Sequence, residues 1–235
     1  MMVDHGHYDA LLALAKKRRS IRHFRPDPVP DEYIERIIEV ARWAPSGFHS
    51  QPWEFVVIRD QTLKNEIVQA SNRRRPETGA SREAESHAVL PRSDFAVAPV
   101  FILLAGDWRA RHRFPAHITQ ADETAEADVF NSSLASAFLL LHLAAASLGL
   151  ASQWCTRVVR GSSGESVRRI MGLPEHIRMY DLMAVGYAAK PPIEKPLRDL
   201  AGLVHYEAPQ EGEFRTPEQI GADSQKFRAW CIRAH

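Results

Sequence analysis

Leu134 to Leu150 constrains this chain more than any other stretch. It is apolar apart from Ser136, His142 and Ser147, and no side of it is polar at helical spacing. A helix that is apolar all round must be buried on most of its faces. The run falls short of the roughly 20 apolar residues that cross a bilayer, and it carries a histidine near its middle. The expectation is a long buried helix from about Asp122 to Leu148, polar at its start and ended by Gly149. Such a helix is either the centre of a core or a subunit interface, and the pattern fits both.

The remaining pattern supplies what packs on it. Asp9–Lys17 reads as a helix, and three prolines after it (Pro26, Pro28, Pro30) break any continuation. Tyr33, Ile34, Ile37, Ile38, Ala41 and Ala44 recur at helical spacing. "EFVVI", "APVFILLAG", "ASQWCTRV" and "YDLMAVGYA" read as strands, and "TLKNEIVQASN" as a helix. "GSSGESVRRIMGL" reads as another helix, with Ser162 and Glu165 spaced as a capping box. One more helix is expected in "PEQIGADSQKFRAWCIRA". Strands alternating with helices make the class α/β or α+β. Residues 72–94, dense in Arg, Glu, Ser and Pro, are expected to form an irregular insert or lid. His5 and His7 are expected in a frayed terminus.

With 235 residues and a net charge of +1, the chain shows no global bias toward nucleic acid or membrane. Positive charge is local, at Lys16, Lys17, Arg18, Arg19, Arg22 and Arg25, and again at Arg73–Arg75. The two cysteines, Cys155 and Cys231, form no zinc or redox spacing. The N-terminal residues show no signal pattern, so a cytoplasmic location is expected. Dinucleotide, phosphate-loop, nucleophile-elbow and zinc-protease motifs are absent. "GSSG" at 161–164 could cradle a phosphate, but a turn and helix start explains it more simply.

Three patches remain: "RRSIR" (18–22), "PSGFHSQPW" (45–53) and "KPLR" (195–198). The second joins a helix to a strand, yet carries more hydrogen-bonding and ring-bearing residues than a turn requires. Together with "APVFILL", the apolar helix ending "LGL", "DLMAVGY" and "KPLRDLAGLVHYE", these patches resemble the nitroreductase family of flavin enzymes over roughly residues 9–207. The loop "APSGFH" is most similar to that of the iodotyrosine dehalogenase branch.

The resemblance implies an α+β fold: a mostly antiparallel central sheet flanked by helices, a long buried central helix and an intertwined homodimer. Residues 1–207 would form the FMN-binding domain and 208–235 a tail. Arg18, Arg19, Ser20 and Arg198, with Lys195 beside it, would take the FMN phosphate, which arginine recognises through forked, charge-assisted hydrogen bonds. Arg22 would reach the pyrimidine edge of the flavin, where a fixed cation favours the reduced ring. Pro45, Ser46, Gly47 and His49 would lie along the flavin of the partner subunit. Gln51 joins them, while with Pro52 and Trp53 it also braces the loop; Trp53 is expected in the core. Thr156 would present a donor to flavin N5, with Ser152 and Gln153 as competitors.

The activity so implied is oxidation of NADH or NADPH and reduction of a nitroaromatic, quinone or similar small electron acceptor at the same site, in a ping-pong cycle. No side chain needs to act as an essential acid or base. One alternative is reductive dehalogenation of a halogenated aromatic; the dehalogenase lid uses Glu, Tyr and Lys, and 72–94 holds Glu77, Glu83 and Glu85 but neither Tyr nor Lys. A second is flavin binding without turnover. A basic nucleic-acid module finds no motif to support it.

Overall fold

The computed structural model describes residues 5–72, 95–119 and 123–233. The expected lid lies, beyond Asn72, outside the described residues. The described residues divide into two compact units, one of 5–72 with the described part of 95–190 and one of 191–233.

The first unit is built on a five-stranded antiparallel sheet. Its strands are β1 (Phe24–Arg25), β2 (Trp53–Ile58), β3 (Val100–Asp107), β4 (Ala151–Cys155) and β5 (Ile177–Ala188). β3 lies between β2 and β5, while β4 and β1 pair with β5 over 182–186 and 187–188. The helices are α1 (His5–Lys17), α2 (Asp31–Ala41), α3 (Gln61–Asn72), a short α4 (Ala116–Thr119), α5 (Glu123–Ser147) and α6 (Gly161–Met171).

Alternation along the strands sorts their side chains into two cores. On one face Val100, Ile102, Leu104, Met183 and Val185 meet Ile34, Ile37 and Ala41 of α2 and Phe130, Leu134, Phe138 and Leu141 of α5. On the other Phe101, Leu103, Leu182 and Ala184 meet Ile67 and Ala70 of α3 and Val167 of α6. β3 is covered on both faces and paired on both edges, so its sequence is a continuous apolar run. α5 is apolar enough to pass for a membrane span, with hydropathy 1.6, yet over half of that stretch is buried in the protein. It is a core helix that leaves Ser132 and Leu139 exposed.

Three local expectations are corrected. α1 starts at His5, so His5 and His7 are helical and exposed, not frayed. Ser162 does not cap α6. Gly161 takes a left-handed conformation (φ 55°) that turns the chain straight into the helix, so Arg160 is the cap residue and makes no side-chain cap bond. β4 stops at Cys155, and Thr156–Val159 form a 3₁₀ turn instead of continuing the strand.

The second unit, in its described part, runs from Pro191 through an irregular stretch to α7 (Pro217–Arg233), the expected tail helix. The Trp230 indole donates to the Glu194 carbonyl at 2.6 Å, and Arg215 pairs with Asp223 at 2.8 Å. No residue of α7 is buried, and Leu197, Leu200, Tyr206 and Ile220 are exposed.

Candidate functional site

The residues after α1 reach the sheet beside β4. Ser20 forms a parallel bridge with Ser152, and the Ile21 amide donates to the Ser152 carbonyl at 2.9 Å. This holds Arg18, Arg19, Ser20 and Arg22 next to the end of α5. Arg19 bonds the carbonyls of Lys16 and Arg18, while its Nε is buried without a partner. Arg22 donates to the Ser20 carbonyl at 3.4 Å. Burial first, and the like charge of Arg19 second, lower the Arg18 pKa. Among the described residues no carboxylate pairs with Arg18 or Arg19. Two neighbouring arginines, one half-buried and the other with an orphaned donor, present charged donors suited to an anion. That fits the dianionic phosphate of FMN.

The 45–51 loop is anchored elsewhere. The Gly47 amide donates to Ser133 Oγ at 2.9 Å, and a Cβ at Gly47 would lie 2.2 Å from Val129 Cγ1, so only glycine allows this approach to α5. The Ser46 hydroxyl accepts from the Gln51 amide at 3.0 Å, which leaves its own proton free to point outward. His49 and Gln51 bond side chain to side chain at 2.8 Å. Phe48, His49 and Gln51 all have positive φ (54°, 53° and 43°), a conformation most side chains avoid. Such strain persists only where surrounding contacts fix it, and it clusters at functional sites. Pro45 stays exposed, and Trp53 is half-buried against the core that α2 and α5 share.

The loop therefore rests on α5 at Ser133, and the arginine strand near His142. Nine residues of helix separate these anchors by about 14 Å at 1.5 Å per residue. One chain holds the two patches apart.

Thr156 opens the 3₁₀ turn after β4 and is exposed. Its hydroxyl lies 3.4 Å from Asp181 Oδ2, an oxygen that also accepts from the Trp154 indole at 2.5 Å. Ser152, the competitor for the same role, is buried, and its Oγ lies 2.7 Å from His142 Nδ1. Gln153 points to the opposite side of the strand. Burial, and then the charge of Arg18, push the His142 pKa down to about 3.

Lys195 and Arg198 belong to the second unit. Lys195 lines a shallow cavity of about 450 Å³ with Glu194, Lys226 and Trp230. Arg198 donates to the Gly202 carbonyl at 2.7 Å and lies 4.0 Å from Asp223.

The sequence reading missed buried Asp181 and His142, which the partly exposed Trp154 joins into one polar group. The signal was present in "ASQWC": Ser152 and Trp154 alternate, so one strand face carries a hydroxyl and an indole N–H.

An antiparallel sheet between two helix pairs, with two arginines in the segment that bridges to β4, describes an α+β class of protein. Residues 15–187 match the Nitroreductase family, and the chain belongs to that oxidoreductase family. It is 32% identical over 187 residues to an NADH dehydrogenase of Thermus thermophilus, covering 75% of this chain and 85% of the relative. It is 29% identical over 184 residues to the iodotyrosine deiodinase of Nematostella vectensis, covering 74% and 66%. The fold is shared with the NADPH:FMN oxidoreductase of Vibrio harveyi solved with NAD⁺ (TM-score 0.70, 24% identity, 93% of this chain and 85% of that one). It is also shared with an iodotyrosine deiodinase solved with FMN and 3-iodo-L-tyrosine (TM-score 0.64, 24% identity, 84% and 99%).

Proposed function

We propose that this protein is an FMN-dependent oxidoreductase that takes electrons from NADH or NADPH and passes them to a nitroaromatic, quinone or similar conjugated acceptor in a ping-pong cycle. The observation that carries this reading is the Arg18–Arg19 pair, which has no carboxylate partner among the described residues, with its orphaned Arg19 Nε.

Bound FMN would supply the two-electron chemistry. Arg18, Arg19 and Ser20 hold its phosphate; a hydrogen bond to a charged group contributes about 1.5–3 kcal/mol. Arg22 follows two residues after Ser20, and its charge favours electron gain by the ring. Ser46, with its outward proton, and His49 contact the ring system, while Gly47 fixes the loop on α5 and Pro45 and Gln51 shape it. Thr156 faces the ring nitrogen that exchanges electrons. Lys195 and Arg198 enter this reading through the sequence motif alone. As the family resemblance implies, each site is completed by a second copy, and the protein acts as a homodimer in the cytoplasm.

The test is the visible spectrum of purified protein, followed by anaerobic titration with each nicotinamide. A flavin spectrum that bleaches on addition of NADH or NADPH supports an oxidoreductase. A flavin spectrum that neither donor bleaches supports flavin binding without turnover. A second reading, reductive dehalogenation, is favoured by the "APSGFH" loop and the deiodinase relatives. Iodide release from 3-iodotyrosine under reducing conditions decides it.

A further inference from the structure

The register between β3 and β5 shifts at one point. Leu104 pairs with Asp181 and Ala105 with Met179, so Tyr180 is an extra residue, a β-bulge. A bulge places two consecutive side chains on one face. Met179 packs in the core below the sheet and Tyr180 in the core toward α5. Asp181 follows on Tyr180's side and is 2% exposed, a buried carboxyl held by the Trp154 indole, whose ring packs with those of Phe138 and Tyr180. Its Oδ2 is shared between the Trp154 indole and the Thr156 hydroxyl. Its Oδ1 has no hydrogen bond and lies 3.6 Å from the half-exposed Arg160.

We propose that Asp181 is a positioning residue for the flavin, because its proton decides which way the Thr156 hydroxyl points. The proposal rests on the FMN reading above. As a carboxylate, Asp181 only accepts, so the Thr156 proton turns inward and an oxygen lone pair faces out. As an acid, Asp181 donates to Thr156 Oγ1, and the Thr156 proton turns outward. The first state suits a ligand atom that bears hydrogen; the second suits a bare acceptor. Flavin N5 is a bare acceptor when oxidised and carries hydrogen when reduced, so the buried proton and the redox state of the ring favour one another.

Burial raises the Asp181 pKa above the ordinary carboxylate range, against the opposing effects of the Trp154 bond, Arg160 and the Thr156 bond. The other titratable groups around it are Tyr180 on its own strand and Cys155 on β4, with Arg22 acting on Cys155 from beyond. From α5, His142 stacks on Trp154 at 5.4 Å and feels Arg18. The Leu104 side of the ladder brings no charge.

The test has two readouts on the full chain. Without ligand, the Trp154 indole N–H resonance, identified by its loss in W154F, moves with pH in the wild type and stays fixed in D181N. With FMN bound, the midpoint potential of the flavin plotted against pH shows an inflection at that same pH. D181N and T156V each lose the inflection, and the double variant D181N/T156V adds nothing to either. An indole resonance in the wild type that ignores pH overturns the proposal. So does an inflection that survives in T156V, the variant that carries the test if D181N fails to fold. Failure to take up FMN, with the indole still titrating, would instead defeat the flavin reading on which the proposal rests.

Discussion

His142 Nδ1 and Ser152 Oγ lie 2.7 Å apart, between the end of the buried helix and the strand that follows it. The imidazole is 1% exposed, stacks on Trp154 within 8° of parallel, and has a pKa of about 3. It is therefore neutral in the folded protein throughout the physiological range, while in the unfolded chain it titrates near 6.5. As pH falls through 6.5 the unfolded state gains a proton that the folded state refuses. Stability then declines by about 1.4 kcal/mol per pH unit until the folded pKa is reached. Denaturant melts below pH 6.5 should show this slope in the wild type and a shallower one in H142Q.

Lys64 is 2% exposed in α3, with Nζ at 2.8 Å from the Ala98 carbonyl and 3.1 Å from that of Pro99, and 5.7 Å from the Phe101 ring centre. It secures the chain leading into β3 without a carboxylate partner in these contacts. K64M keeps the volume and loses the donors, leaving two carbonyls underserved. We expect a loss of about 1–3 kcal/mol in urea unfolding, with little change in FMN affinity.

Gly47 packs where no Cβ fits. G47A should cost about 1–3 kcal/mol through overpacking and displace the 45–51 loop. The obstacle is a side chain, Val129, so V129A should restore stability in the double variant. Thermal melts of the two single variants and the double check this; G47A left uncorrected by V129A would mean that backbone conformation, not crowding, sets the requirement.

Much of this architecture is written in hydrophobic period. α5 and β3 are read from composition alone because both are enclosed on most sides, and enclosure leaves no polar positions. Lys64 hides in plain view: it shares a helix face with Ile67 and Ser71, and a polar residue on an apolar face signals a buried partner. The bulge at Tyr180 leaves no such mark, because it depends on register with a distant strand. The failed capping box at Ser162 shows the limit of short motifs: spacing was right, but Gly161 chose the entry angle. The arginine cluster could be seen as basic, but that no carboxylate among the described residues pairs with Arg18 or Arg19 is a property of the folded surroundings.

Arg18→Ala and Arg19→Ala should each weaken FMN binding by about 1.5–3 kcal/mol, or roughly 10–150-fold in Kd. Fluorescence-quenching titrations at two salt concentrations check this, with the wild type more sensitive to salt than either variant.

The most direct measurement compares FMN with riboflavin, which lacks the phosphate, in parallel titrations of wild type and the R18A/R19A double variant. The expected result is that the wild type binds FMN at least 100-fold more tightly than riboflavin (about 2.7 kcal/mol) and that the double variant loses most of this preference. Equal affinity of the wild type for the two ligands, or no affinity for either, would contradict it.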